Sequence, residues 1–296
     1  MAIGSPATDP FGVCAGRLSY ERPQPRSRPR AGRSGRSPTT FDSEPALART
    51  GSDPIETLFS PGSDRPRMKT TGGSEVEKRN AGERAAELVA DGAVVGLGTG
   101  STTAHAIRAL GRRVEDGFEV QGIPTSYQSA DLAREVGIPL TTLDDAAPAI
   151  AIDGADRIAG FELIKGGGAA HTREKLVASA AARLVIVADP SKECETLDRP
   201  VPLEVLPAAR RPVSEVVEGL GSTPDLRLAE RKDGPVVTDN GNLVLDCDFG
   251  RIEEPADLAQ KLASIPGVLE HGLFVGLADT VLIGTETGVE ERERRR

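Results

Sequence analysis

The chain has no tryptophan, two tyrosines and seven phenylalanines among 296 residues, so aromatic side chains cannot fill its core. Val, Leu, Ile and Ala must do so instead. No window approaches 18 continuous apolar residues, the length a membrane-spanning helix needs, which argues against a membrane protein. The three cysteines, Cys14, Cys194 and Cys247, are far apart and odd in number. They suit neither a disulfide framework nor a zinc site, and the expected setting is the cytoplasm. Three scattered histidines (His105, His171, His271) likewise suggest no metal centre. Lysine is scarce too, at 7 against 29 arginines.

Charge is unevenly spread. Residues 1–67 hold ten Arg, no Lys and seven acids, a net of +3, while the remainder carries −12. An acidic body excludes a general nucleic-acid binder, which needs a basic stripe. It is compatible with a salt-loving host and equally with an ordinary acidic protein of a GC-rich genome. Pro, Gly, Ser and Arg make up 36 of the first 67 residues, and no apolar period runs through them. Such a segment cannot bury enough surface to offset chain entropy. It reads as a disordered tail, or as sequence ahead of a true translation start at Met68; the second reading is preferred.

From residue 74 the texture changes. Ser74-x-x-Glu77 is a capping-box signature and opens an amphipathic helix. Strands are expected over 93–97, 118–123, 140–143, 149–153 and 184–188, with helices from after the 99–102 turn to about 110, over 128–136 and over 172–182. Alternating strands and helices imply an α/β fold with a doubly wound, mostly parallel, Rossmann-like sheet. Beyond Pro200 the order becomes β-α-β-β-α-β, with strands over 203–206, 226–230, 243–247 and 268–274 and helices over 213–220 and 255–263. That order describes a smaller ferredoxin-like α+β unit. The run 280–284 returns to the large sheet. The expected organisation is therefore a catalytic α/β domain over 68–199 plus 275–290, and a small domain over 200–274.

Three loops carry chemistry. Gly96-Leu97-Gly98-Thr99-Gly100-Ser101-Thr102 joins a strand to a helix, so free backbone N–H groups and hydroxyls converge where an anion would sit. It lacks the Gly-Lys-Ser/Thr of a nucleotide P-loop, and its glycine spacing is wrong for a dinucleotide fingerprint. Asp153-Gly154-Ala155-Asp156 places two carboxylates at the C-terminal end of a strand, where open α/β sheets bind ligands. Lys165-Gly166-Gly167-Gly168-Ala169-Ala170-His171-Thr172-Arg173-Glu174 is the most informative. Consecutive glycines permit close backbone approach, Lys165 is a point charge suited to an oxyanion, and Glu174 lies in the first turn of the next helix. A carboxylate there serves as a proton shuttle if burial tunes it. By itself it reads first as a helix N-terminal acid satisfying the dipole.

Taken together, Gly-Thr-Gly-Ser-Thr, Asp-Gly-Ala-Asp, Lys-Gly-Gly-Gly-Ala-Ala, Thr-Arg-Glu-Lys and Asp-x-Ser-Lys, in this order, resemble the A-type ribose-5-phosphate isomerases. Val237-Thr238-Asp239-Asn240-Gly241-Asn242 and Ile265-Pro266-Gly267-Val268 resemble that family's small domain. The resemblance spans about 74–288. It implies that ribose 5-phosphate and ribulose 5-phosphate interconvert through an enediolate, with no metal or organic cofactor, in a homodimer or homotetramer. Glu174 would be the proton acceptor, with Lys165 and Asp153 beside it in catalysis. Thr99, Gly100, Ser101, Thr102, Asp153, Gly154, Ala155, Asp156, Lys165, Gly166, Gly167, Gly168 and Lys192 would contact the sugar phosphate, and Lys78 would reach its phosphate. Arg157 departs from the Glu usual in the family, and His171 from an apolar residue. The rival readings are a non-catalytic sugar-phosphate sensor, an amino-sugar phosphate deaminase and a CoA transferase. A sensor has no need of both Glu174 and Lys165, and the Asp-Gly-Ala-Asp and Lys-Gly-Gly-Gly pair favours the isomerase over the others.

Overall fold

Ser74 and Glu77 form the capping box their spacing predicts: Glu77 N–H donates to Ser74 Oγ at 3.2 Å, and Ser74 N–H donates to Glu77 Oε2 at 2.7 Å. They start the first helix of the protein's structure, a computed structural model that describes residues 72–295. The readings made for residues 1–67 and for Met68 lie outside the described residues.

In chain order the elements are α1 (Glu75–Glu87), β1 (Ala93–Leu97), α2 (Ser101–Glu115), β2 (Val120–Pro124), α3 (Tyr127–Glu135), β3 (Ile150–Asp153), β4 (Arg157–Ala159), β5 (Glu162–Ile164), α4 (His171–Ala180) and β6 (Leu184–Ala188). Then follow β7 (Val201–Val205), α5 (Arg210–Gly219), β8 (Thr223–Leu226), β9 (Leu243–Asp248), α6 (Pro255–Ala263), β10 (Val268–His271), β11 (Leu273–Phe274), β12 (Thr280–Thr285) and β13 (Gly288–Glu293).

The largest sheet has the order β13-β12-β6-β3-β1-β2. Its five strands from β12 to β2 are parallel, and β13 closes one edge antiparallel to β12. Strands such as Leu184-Val185-Ile186-Val187-Ala188 are apolar throughout because both faces are covered. Alternate residues pack in opposite directions. Ile150, Ile152, Val185 and Val187 join a cluster with Ala85, Ile107 and Leu110 of α1 and α2. Ala151, Ile186 and Ala188 join another with Val177 of α4 and with Phe274. The order reverses at β1, with β2 on one side and β3 on the other, and ligands of such sheets bind beyond the strand ends at that point.

The four-stranded sheet, β10-β7-β9-β8, is antiparallel, and its β-α-β-β-α-β chain order makes it the expected ferredoxin-like unit. Its inward positions are filled by Leu203, Val205 and Leu245, which pack on Val213 and Val217 of α5 and Leu262 of α6. In a small third sheet, β11-β5-β4, the strands β4 and β5 have no counterpart among the expected elements, and β11 is the end of the strand expected over 268–274. Its strands span two or three residues, too few for a period-2 pattern to show. The expected strand over 140–143 reduces to one bridge between Leu140 and Gly122, because the chain turns away at 143–145. The strand expected over 226–230 lies instead at Thr223–Leu226, and that expected over 268–274 divides between two sheets at Gly272. Among the described residues no helix is long and apolar enough to cross a membrane.

Candidate active site

The loops that follow β1, β3 and β5 all line one cleft of about 520 Å³. After β1, Gly98 must lack a side chain: a methyl there would collide with the Asp153 carboxyl. Gly100, at φ +121°, then turns the chain into α2. That helix has neither a side-chain cap nor an acid in its first turn, so its N-terminal dipole end is left for an external anion. Thr99 Oγ1 is held by Thr125 Oγ1 at 2.8 Å and Ser126 Oγ at 2.7 Å. Ser101, Thr102 and Thr103 line the same wall.

Lys165, leaving β5, is buried and reaches three oxygens. Its Nζ lies 3.0 Å from Asp153 Oδ2 and 3.1 Å from Glu174 Oε2, and donates to Gly154 O at 2.6 Å. Asp153 Oδ1 in turn accepts the N–H of Thr99 at 3.1 Å and of Gly154 at 2.8 Å. Burial works against the Lys165 charge, yet Asp153 and Glu174 together hold its pKa above the ordinary value. Burial also raises Asp153, outweighing Lys165 and the backbone donors. Glu174 sits in the first turn of α4, where its own N–H is taken by Ala170 O at 3.0 Å. Although Lys165 is close, Glu174 Oε2 finds no hydrogen-bond partner within the chain. Burial, reinforced by the Asp153 charge, pushes the Glu174 carboxyl up to about 8 despite Lys165. A carboxyl so placed has the chemistry to take up and release a proton near neutral pH.

The cleft brings together Lys78, Thr99, Gly100, Ser101, Thr102, Gly154, Ala155, Asp156, Lys165, Gly166, Gly167, Gly168, Glu174 and Lys192. Asp153 is the exception, lying behind Lys165 rather than on the wall. Asp156 faces the cleft and accepts the Gly167 N–H at 2.7 Å. Burial lowers Lys192, with Asp189 and Asp156 opposing and Lys78 adding to the depression. Lys78 lines the same cleft, with its Nζ 3.1 Å from Glu75 Oε1. His171 is fully buried, with its pKa pushed down to about 3 by burial first and then by Arg227 and Lys175. It packs under the glycine loop as a neutral ring. Among the described residues no group of three His, Cys, Asp or Glu is placed to hold a metal ion.

A family model described as ribose 5-phosphate isomerase A (phosphoriboisomerase A) matches residues 121–288. The ribose-5-phosphate isomerase A of Natronomonas pharaonis is 64% identical over 225 residues, covering 76% of this chain and all of the relative. The chain belongs to the ribose 5-phosphate isomerase A family. The structure of the family member from Methanocaldococcus jannaschii superposes with a TM-score of 0.71 at 44% identity, covering 73% of this chain and 98% of that one. A further D-ribose-5-phosphate isomerase, solved in complex with phospho-erythronic acid, is 42% identical with the same TM-score, covering 73% and 97%.

Arg157 forms a two-pronged pair with Asp198, at 2.8 and 3.3 Å, and donates to Ser191 O at 3.1 Å. It braces the turn that carries Lys192. Sequence reasoning missed Ser126, Gln128 and Asp239, all on the cleft wall. Asp239 had a signal, the Thr-Asp-Asn-Gly turn, but only folding carries that turn from the small sheet to the mouth of the cleft. There Asp239 Oδ2 accepts Tyr127 N–H at 2.9 Å, and Arg173 donates to Asp239 O at 2.9 Å.

Proposed function

We propose that this cleft carries out the family's reaction with the residues in the following roles. The reaction is the reversible aldose–ketose interconversion of D-ribose 5-phosphate and D-ribulose 5-phosphate. The phosphate lies at the N-terminus of α2, against Ser101 and Thr102, with Lys78 and Lys192 beside it. The open-chain sugar extends towards Lys165. Glu174 removes the proton from C2 of the aldose, giving an enediolate, and returns it to C1, giving the ketose. Lys165 and the glycine-loop N–H groups stabilise the developing oxyanion. Ring opening and the hydroxyl-proton move from O2 to O1 need a second carboxyl. Asp156 faces the sugar directly, and Asp153 acts through Lys165, which it holds in place.

One observation carries the reading: a buried carboxyl, raised to about 8 and short of a hydrogen-bond partner, beside a buried ammonium at the end of an anion-binding cleft. The acid–base step contributes on the order of 10²–10⁴-fold, and the preorganised Lys165 and backbone dipoles supply the remainder. The phospho-erythronic acid bound by the relative suits this picture, because it carries a planar, anionic carboxylate and a phosphate on one short hydroxylated chain, as an enediolate of the substrate would carry its own planar anionic group and phosphate. Catalysis without a metal or organic cofactor, assembly as a homodimer or homotetramer, and a cytoplasmic location belong to the same proposal. The exposed side chains of Tyr127, Leu228 and Val237 support self-association, and the free thiols of Cys194 and Cys247 support the location. Protein treated with EDTA and given ribose 5-phosphate should form ketose at an undiminished rate; no turnover would contradict the reading. Light scattering should give two or four times the mass of one chain, and the mass of one chain would contradict assembly.

A further inference from the structure

The glycine loop closes on itself where Ala169 N–H donates to Gly166 O at 2.9 Å, and a side chain from the four-stranded sheet holds it from behind. Arg227, next after β8, donates from Nη1 to Gly166 O at 2.8 Å and to Gly167 O at 3.3 Å. Its guanidinium is gripped from the other side by Asp246 of β9, whose Oδ2 accepts Nε at 2.8 Å and whose Oδ1 accepts Nη2. Both side chains are largely buried. The peptide between Gly166 and Gly167 is thereby fixed at both edges, with its carbonyl on Arg227 and its N–H on Asp156 Oδ2 at 2.7 Å.

The next peptide is the consequential one. A trans peptide is planar, with its carbonyl and N–H pointing in opposite directions. With Gly167 O turned towards Arg227, the N–H of Gly168 points the other way. Gly168 is on the cleft wall, and a methyl added there would meet only Thr99 Cγ2, at 3.7 Å. We infer that Arg227 is a positioning residue of the isomerase reaction: by holding the Gly166 and Gly167 carbonyls it aims the Gly168 N–H at the enediolate oxygen. Asp246 completes the device twice over. It sets the plane of the guanidinium, and by pairing with it keeps a second free cation from competing with Lys165 for the oxyanion.

This deepens the proposed function and rests on it, so the test separates the two. Wild-type turnover and its loss in Glu174→Gln report on the isomerase reading alone. Arg227→Ala and Arg227→Lys, in the full chain, report on the inference. A misaimed N–H weakens binding of the transition state more than of the substrate. Arg227→Ala should lower kcat by about 10- to 100-fold, somewhat less than outright removal of an oxyanion donor, with KM changed less than about threefold. Inhibition by phospho-erythronic acid should weaken by about the same factor as kcat/KM. Arg227→Lys keeps the charge but not the fork, and should recover only part of the loss. A folded Arg227→Ala with kcat within twofold of wild type overturns the inference. So does a fall in kcat that leaves phospho-erythronic acid inhibition unchanged, the result expected of a merely structural role. Should Arg227→Ala not fold, Asp246→Asn carries the test: kcat and phospho-erythronic acid inhibition should weaken together by several-fold, and wild-type values of both would refute it.

Discussion

Glu174 and Glu204 are both buried glutamates, and both bear on α4, yet their surroundings differ in kind. Glu204, on β7, accepts hydrogen bonds from Thr172 Oγ1, from Thr238 Oγ1 at 2.8 Å, from Asn240 Nδ2 at 3.0 and 3.3 Å and from Asn242 Nδ2 at 2.8 Å. Each of its oxygens is satisfied by neutral donors, and the set ties α4 to the 238–242 turn. Glu174, two residues along the helix from Thr172, has the Lys165 ammonium nearby but an oxygen with no hydrogen bond, and another carboxylate close at hand. A buried carboxyl whose lone pairs are all taken holds structure together; one left partly unsatisfied beside like charge keeps its affinity for a proton.

Substitutions should separate these two roles. The largest effect belongs to Glu174→Gln, which keeps the shape and removes the base: kcat should fall by about 10³-fold or more, while phospho-erythronic acid binds within about threefold of wild type. A fall of less than tenfold would erase the contrast. Glu204→Ala should do the reverse. Several buried donors lose their acceptor, costing roughly 3 kcal/mol in denaturant unfolding, whereas kcat of the folded protein should drop less than about tenfold. Unchanged stability would show that the Glu204 network contributes nothing.

The next effect is a pH dependence. Glu174 must be ionised to accept a proton, and with its pKa at about 8 only about one molecule in ten is ready at pH 7. The kcat/KM of wild type should therefore climb close to tenfold per pH unit from 6 to 7, and level off above 8. A profile already flat at pH 6 would contradict the raised pKa. The same group bears on stability. The folded pKa of Glu174, about 8, exceeds its ordinary 4.5, so the folded state binds this proton more tightly than the unfolded state does. Stability from this group is full below about 4.5 and is lost as pH rises through 8. Glu174→Gln cannot ionise, and its Tm should gain on that of wild type between pH 5 and 9. A constant difference would argue against the linkage.

Much of the large sheet was legible in the sequence because its strands are buried on both faces and read as short apolar runs. The expected limits of 93–97 and 184–188 match β1 and β6 to the residue. The strands around Lys165 were not legible. β4 and β5 are a hairpin of three residues a side, too short for a pattern to show, and the other edge of β5 is paired by residues more than a hundred positions away, as in Leu273 with Ile164. In the site, the glycine loops, paired aspartates and Lys165 announced themselves by residue type and spacing. Arg227 and Glu204 did not: each is an ordinary charged residue in a β-rich stretch, and its role arises only when the four-stranded sheet packs behind the cleft. Asp153 was legible as a site residue but not as one standing behind Lys165, since spacing along a chain says nothing of depth.

The most direct measurement follows the C2 proton itself. Ribose 5-phosphate is incubated in D₂O at pH 8 with wild type or Glu174→Gln, and proton NMR records loss of the C2 signal alongside ketose formation. Wild type should exchange deuterium into the sugar as it turns over, and the variant should bind the sugar phosphate without exchanging it. Exchange by Glu174→Gln at a rate near wild type would show that another group takes the proton.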